Sequence, residues 1–127
     1  MTEVLMLVES DATIRQPLAE YLRECGFQVL EAVSSFEAVE ALKDRNLPVS
    51  IVLADAANAG GAFELARWLR THRPTVEVTL TGSVTTAVEK AGELCESGPA
   101  LVKPYEHRFV LDHIKRLIAR RSDRLVT

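Results

Sequence analysis

The sequence predicts an α/β fold: a doubly wound parallel sheet of five strands, built from five successive strand–helix units. Three observations carry this prediction. Five apolar runs alternate with segments of helical spacing along the 127 residues. The third run, Val49-Ser50-Ile51-Val52-Leu53-Ala54-Asp55, is apolar at nearly every position, as in a strand covered on both faces, and closes on one carboxylate. The first, fourth and fifth runs also stop on polar residues. Steady alternation of strand and helix implies a parallel sheet with helices on both faces and right-handed crossovers.

The elements follow in order. Val4 to Val8 is the first strand. Ile14, Leu18, Tyr21, Leu22 and Cys25 then recur at helical spacing, and Gly26 stops that helix. Phe27 to Ala32 is a shorter second strand. Phe36, Val39 and Leu42 mark a second helix, ended by Asn46 and Pro48. Val49 to Ala54 is the third strand. Ala62, Leu65, Ala66 and Leu69 mark a third helix, closed by His72-Arg73-Pro74. Val76 to Thr81 is the fourth strand. Val84, Val88, Ala91 and Cys95 mark the fourth helix, the weakest pattern, with Gly92 inside it. Ala100 to Lys103 is the fifth strand, and Val110, Ile114, Leu117 and Ile118 mark the last helix. Residues 1–122 are expected to form one domain, with 123–127 as a short fraying tail.

Bulk properties narrow the function. A hydrophobic content of 47% excludes disorder. Fifteen basic and 18 acidic side chains give a net charge of −3, which argues against direct nucleic-acid binding. The basic residues Lys115, Arg116, Arg120, Arg121 and Arg124 are expected to complement a helix C-terminus and face solvent. No apolar run reaches the roughly 18 residues of a membrane span, so no membrane association is expected. Cys25 and Cys95 lack metal-ligand spacing. Two thiols in an acidic domain fit a reducing cytoplasm, and the sequence leaves a single disulfide open.

Ligands of open parallel sheets bind at the carboxyl ends of the strands. Glu9-Ser10-Asp11, Asp55, Thr81-Gly82-Ser83 and Lys103-Pro104-Tyr105 stand there. Any one of these could be polar merely because a strand end meets water. Four converging positions argue for a site.

In that order, on that frame, these motifs make the chain resemble the receiver domain of two-component response regulators over essentially its whole length. Val8-Glu9-Ser10-Asp11-Ala12-Thr13-Ile14-Arg15 and Glu64-Leu65-Ala66-Arg67-Trp68-Leu69-Arg70 follow the family's patterns as well. The resemblance implies the flavodoxin-like strand order 2-1-3-4-5. It implies that Asp55 is the phosphoacceptor, taking a phosphoryl group from a histidine kinase or a histidine phosphotransfer protein. Thr81 and Lys103 would bind and sense that group. Mg²⁺ would be held weakly by Glu9, Asp55 and the backbone carbonyl of Ala57, with Ser10 contributing through a water. The Lys103–Pro104 bond would be the family's cis peptide.

The chain departs from the family at three places. Ser10 stands where a second acid usually binds the metal, and Mg²⁺ prefers carboxylates. Asp11, one residue on, is read as the N-cap of the first helix rather than as a replacement. The loop Ala56-Ala57-Asn58-Ala59-Gly60-Gly61 looks one residue short. Ala100 occupies the position of the usual aromatic switch.

The leading expectation is a stand-alone cytoplasmic receiver that signals to a downstream protein. Its contact surface, and a homodimer, would use the fourth helix, fifth strand and fifth helix. The alternative is a pseudo-receiver that binds partners without phosphorylation. An enzyme is not expected beyond self-phosphorylation and autodephosphorylation at Asp55. A phosphatase of this type would want an acid two residues after its nucleophile, where Ala57 stands.

Overall fold

The computed structural model describes residues 3–56 and 61–97. The fifth strand, the last helix and the tail lie outside these residues. Within them run β1 (Val4–Val8), α1 (Ala12–Glu24), β2 (Gln28–Ala32), α2 (Ser35–Leu42), β3 (Val49–Asp55), α3 (Ala62–His72), β4 (Glu77–Thr81) and α4 (Val84–Ser97). The four strands pair in parallel in the order β2-β1-β3-β4. This is the expected doubly wound arrangement as far as the described strands extend.

Side chains alternate across the sheet with a period of two. Leu5, Leu7, Ile51 and Leu53 face α1 and α4. Met6, Val8, Val52 and Ala54 face α2 and α3. Each fully buried leucine or valine contributes about 1.5–3 kcal/mol relative to exposure, so the central strands β1 and β3 anchor the fold. Their pairing has one irregularity. Val4 pairs with Val49 and Leu5 with Ile51, which leaves Ser50 as an extra residue. The Ser50 hydroxyl donates to the Val4 carbonyl at 3.2 Å.

Local chemistry sets the helix ends. Asp11 is the N-cap of α1: its Oδ1 accepts from the Thr13 backbone N–H at 3.0 Å and from the Thr13 hydroxyl at 2.7 Å. Gly26, at φ 103°, turns the chain out of α1, a conformation glycine adopts without a Cβ penalty. The Ser34 hydroxyl accepts from the Glu37 N–H at 3.1 Å to cap α2. Ser83 does the same for the Thr86 N–H at 3.2 Å at the start of α4.

One expectation needs correction, and one open point is decided. Phe36 was placed on the apolar stripe of α2, but it is exposed; Ser35, Ala38 and Leu42 are the buried residues. Phe36 and Leu42 lie six residues apart, about 120° around the helix, whereas Ala38 and Ser35 fall within about 40° of Leu42. The point left open concerns the cysteines, which are disulfide-bonded. Cys25, the C-cap of α1, joins Cys95 on α4 across 70 residues of sequence, with a Cα–Cα distance of 5.3 Å. Closing a loop of that length removes about 4 kcal/mol of denatured-chain entropy in the chain-entropy account.

The described helices divide two and two between the faces. α1 covers one face, and α2 and α3 the other. Crossovers of one hand require this when the chain steps from β1 out to β2 and then back across to β3 and β4. α4 lies on the α1 face, where Ala87, Val88, Ala91 and Cys95 pack against the α1 core. On α3, Trp68 packs partly against the opposite core and stacks on His72 at 4.7 Å.

Candidate functional site

The carboxyl ends of β1, β3 and β4 meet on one edge. Asp55 is the last residue of β3 and is only 8% exposed. The parallel register sets it directly beside Thr81, the last residue of β4, which is 1% exposed. The Ala56 N–H donates to the Thr81 carbonyl at 2.7 Å, tying the two strand ends together just past the acid. The Thr81 hydroxyl rests against the Ala54 carbonyl at 3.4 Å, a long contact that leaves it available for a better acceptor.

Glu9 follows β1 and is 3% exposed. Its main chain is held at both ends. The N–H donates to Ala32 at 3.0 Å, and the carbonyl accepts from the Arg15 guanidinium at 2.8 Å. Its side chain meets Asp55. Burial pushes the Glu9 carboxyl up from 4.5 to about 8; the hydrogen bond to Asp55 and the charge of Asp55 push the same way, against the Asp11 backbone N–H. Two carboxylates this close cannot both ionise cheaply, so near neutral pH the protonated form of Glu9 is favoured.

A cation could take the place of that proton. Glu9 Oε1 is buried without a hydrogen-bond partner, an acceptor position open to a ligand. Mg²⁺ commonly uses one or two carboxylates and keeps several waters, so Glu9 and Asp55 fit such an ion. Among the described residues there is no cluster of three or more His, Cys, Asp or Glu suited to a metal. Ser10 is exposed, and Asp11 is engaged as a helix cap. Ala57, Ala100, Lys103 and Pro104 lie outside the described residues, so of the expected site the structure brings together Glu9, Asp55 and Thr81.

A groove of about 620 Å³ between α2 and α3 is lined by Ser35, Phe36, Val39, Glu64 and Trp68, among others. It includes neither acid. Gly61 borders it at φ 74° as the N-cap of α3. A side chain would be strained there.

Comparison with known proteins agrees with this geometry. No protein-family model matches the chain. It is 30% identical over 119 residues to the transcriptional regulatory protein GltR of Pseudomonas aeruginosa, covering 91% of this chain and 49% of that protein. The chain thus spans about half the length of the curated relatives it matches. Among solved structures, a response regulator receiver domain protein from Clostridium thermocellum superposes with a TM-score of 0.57 at 21% identity, covering 98% of this chain and 99% of that one. The chemotaxis response regulator CheY4 of Vibrio cholerae superposes with a TM-score of 0.58 at 18% identity, covering 92% and 99%. The chain has the fold of response-regulator receiver domains. Receivers are in general signalling modules rather than conventional enzymes.

One part of this site is not evident from the sequence pattern. Arg15 entered only as half of an Ile-Arg pattern. In the fold its Nε meets Glu31 at 3.1 Å while another guanidinium nitrogen holds the Glu9 carbonyl. Glu31 also takes Arg23 at 3.2 Å. Arg15 thereby positions the residue whose carboxyl faces Asp55. The available signal was a cation four residues after Asp11, one helical turn into α1 and able to reach back to the loop it follows.

Proposed function

We propose that the chain accepts a phosphoryl group on Asp55 from a histidine kinase or histidine phosphotransfer protein and passes the signal on by protein–protein contact. The observation that carries this reading is the buried Asp55, in register with Thr81 and facing Glu9. In the transfer, an Asp55 carboxylate oxygen forms a bond to phosphorus as the donor's N–P bond breaks, and the imidazole leaves with the electron pair and takes up a proton. Thr81 offers its hydroxyl to the new phosphoryl oxygens. Lys103 is proposed, by resemblance, as the fixed cation beside them.

Glu9 and Asp55, with the Ala57 carbonyl and a water on Ser10, would hold Mg²⁺, which when bound offsets the negative charge gathered at the acids. Phosphorylation adds roughly −1.5 to −2 charges, enough to bias a surface between two states. The proposed setting is cytoplasmic. By resemblance, 1–122 would be the domain and 123–127 a tail, the Lys103–Pro104 bond would be cis, and Ala100 would leave the output path without an aromatic ring. Contact with a downstream protein, and a homodimer, would use the surface around the fourth helix, fifth strand and fifth helix. Among the described residues no helix is long and apolar enough to cross a membrane.

Acetyl phosphate with Mg²⁺ tests this directly. Wild type should gain one phosphoryl mass, and Asp55→Asn should gain none. No gain, together with no response to beryllofluoride, would overturn phosphoryl acceptance. The second reading, a pseudo-receiver, is favoured by Ser10, exposed where the family has an acid. Lack of Mg²⁺ binding up to tens of millimolar, restored by Ser10→Asp, would support it.

A further inference from the structure

Two facts about Cys25 and Cys95 pull in opposite directions. They are joined in a disulfide. Yet disulfides are rare in cytoplasmic proteins, where those that occur are mostly transient, catalytic or redox-sensing. The bond links the end of α1 to α4, two elements otherwise joined by apolar packing of Ala87, Val88 and Ala91 on the α1 core. α4 also begins three residues after Thr81, through Gly82 and Ser83. A restraint on α4 is therefore a restraint on the strand end beside Asp55.

We propose that the Cys25–Cys95 disulfide is a reducible clasp: oxidised, it fixes α4 against α1 and holds the Thr81 end of β4; reduced, it lets α4 and that strand end loosen. The partner is a thiol reductant, either a small-molecule thiol or a protein dithiol. Its thiolate attacks Cys95 Sγ, because Cys95 is 7% exposed against 1% for Cys25 and lies two residues from the end of α4, where helices fray. The S–S bond breaks, Cys25 leaves as a thiolate and takes a proton from water, and a mixed disulfide forms on Cys95. A second reductant thiolate then attacks the reductant's sulfur in that mixed disulfide. Cys95 is released as a thiolate and is protonated, and the reductant ends as its own disulfide. Two electrons pass from reductant to protein. Oxidised reductant reverses the sequence.

The proposal makes Cys25 and Cys95 the input of a second signal into the site assigned above. Its structural part stands apart from that assignment. The test is amide hydrogen exchange on wild type poised in reduced and oxidised glutathione, with the bond followed by non-reducing peptide mapping. Reduction should speed exchange in α4, and at the Ala56 amide that bonds Thr81, at least about ten-fold. Amides of α2 and α3 should be unmoved. Cys95→Ser should match the reduced form and ignore the buffer. Equal α4 exchange in both states, acceleration spread evenly over all helices, or thiols that never pair in oxidised glutathione would each overturn the clasp. Phosphoryl uptake measured on the same samples separates the two ideas. Uptake absent in both states, with α4 still responding, defeats the phosphoacceptor reading and leaves the clasp standing.

Discussion

The two faces of the sheet are closed by different means. On the α1–α4 side the core of Leu5, Leu7, Leu22, Ile51 and Leu53 is sealed by a covalent cross-link between the covering helices. On the α2–α3 side the helices rest on Met6, Val8, Val52 and Ala54 without a cross-link, with Phe36 and Phe63 left in solvent at their N-terminal ends. The lesson is that the strands need equal cover on both sides but the helices do not need equal restraint. A packed helix is held by many small contacts, each lost gradually. A cross-linked helix is held by one bond that is either present or absent. The acids sit where these two regimes meet, on strands shared by both faces.

Removing the cross-link should have the largest effect. Cys25→Ser with Cys95→Ser should lower stability by about 4 kcal/mol in urea unfolding. A loss of similar size on the α2–α3 side, measured by local exchange, would erase the contrast between the faces. The shared site should come next. The Glu9 carboxyl is raised in the folded state, so stability is fully present below about pH 4.5 and is lost as pH climbs to about 8, then levels. In metal-free buffer that fall should amount to several kcal/mol, and Glu9→Gln should flatten it. A wild-type profile flat between those limits would mean that burial beside Asp55 does not raise the Glu9 carboxyl.

Smaller effects sharpen the comparison. Leu65→Ala, on the face without a cross-link, should cost about 3 kcal/mol through its cavity, with α2 and α3 exchange rising before α1. Asp11→Ala should cost about 1 kcal/mol by loss of the cap, seen as fraying confined to the start of α1. Phe36→Ser should change stability by less than about 0.5 kcal/mol; a larger loss would mean that the exposed ring is packed after all.

Much of this was legible in sequence, for identifiable reasons. The four described strands announced themselves because continuous apolar runs have few other uses, and Asp55 and Thr81 because a polar residue closing such a run lands on a known edge. Asp11 was legible as a cap because capping is a local affair of two residues. Phe36 was misread because a three-residue spacing drifts around a helix, and the pattern did not show which end of the drift would be buried. The meeting of Glu9 with Asp55 was beyond reach, since spacing fixes the strand and not the direction in which a long side chain turns. The cross-link was open for a simpler reason: 70 residues of separation carry no distance information until the fold brings α1 and α4 together. The side of the sheet taken by α4 was likewise invisible in its apolar pattern.

The extra residue at Ser50 bears on where the acid points. Strand side chains alternate, so counting from Val49 an uninterrupted ladder would put Val49 and Ile51 on the same side; the bulge sends them to opposite sides. Every later position inherits that change of parity, up to and including Asp55. A serine at the far end of the strand, hydrogen-bonded to nothing more than a carbonyl, is thus a phase setting. Deleting it would leave Val49 and Ile51 adjacent and still on opposite sides, so the acid would keep its direction; losing the bulge while keeping the residue would turn either Val49 or the stretch from Ile51 to Asp55 the wrong way.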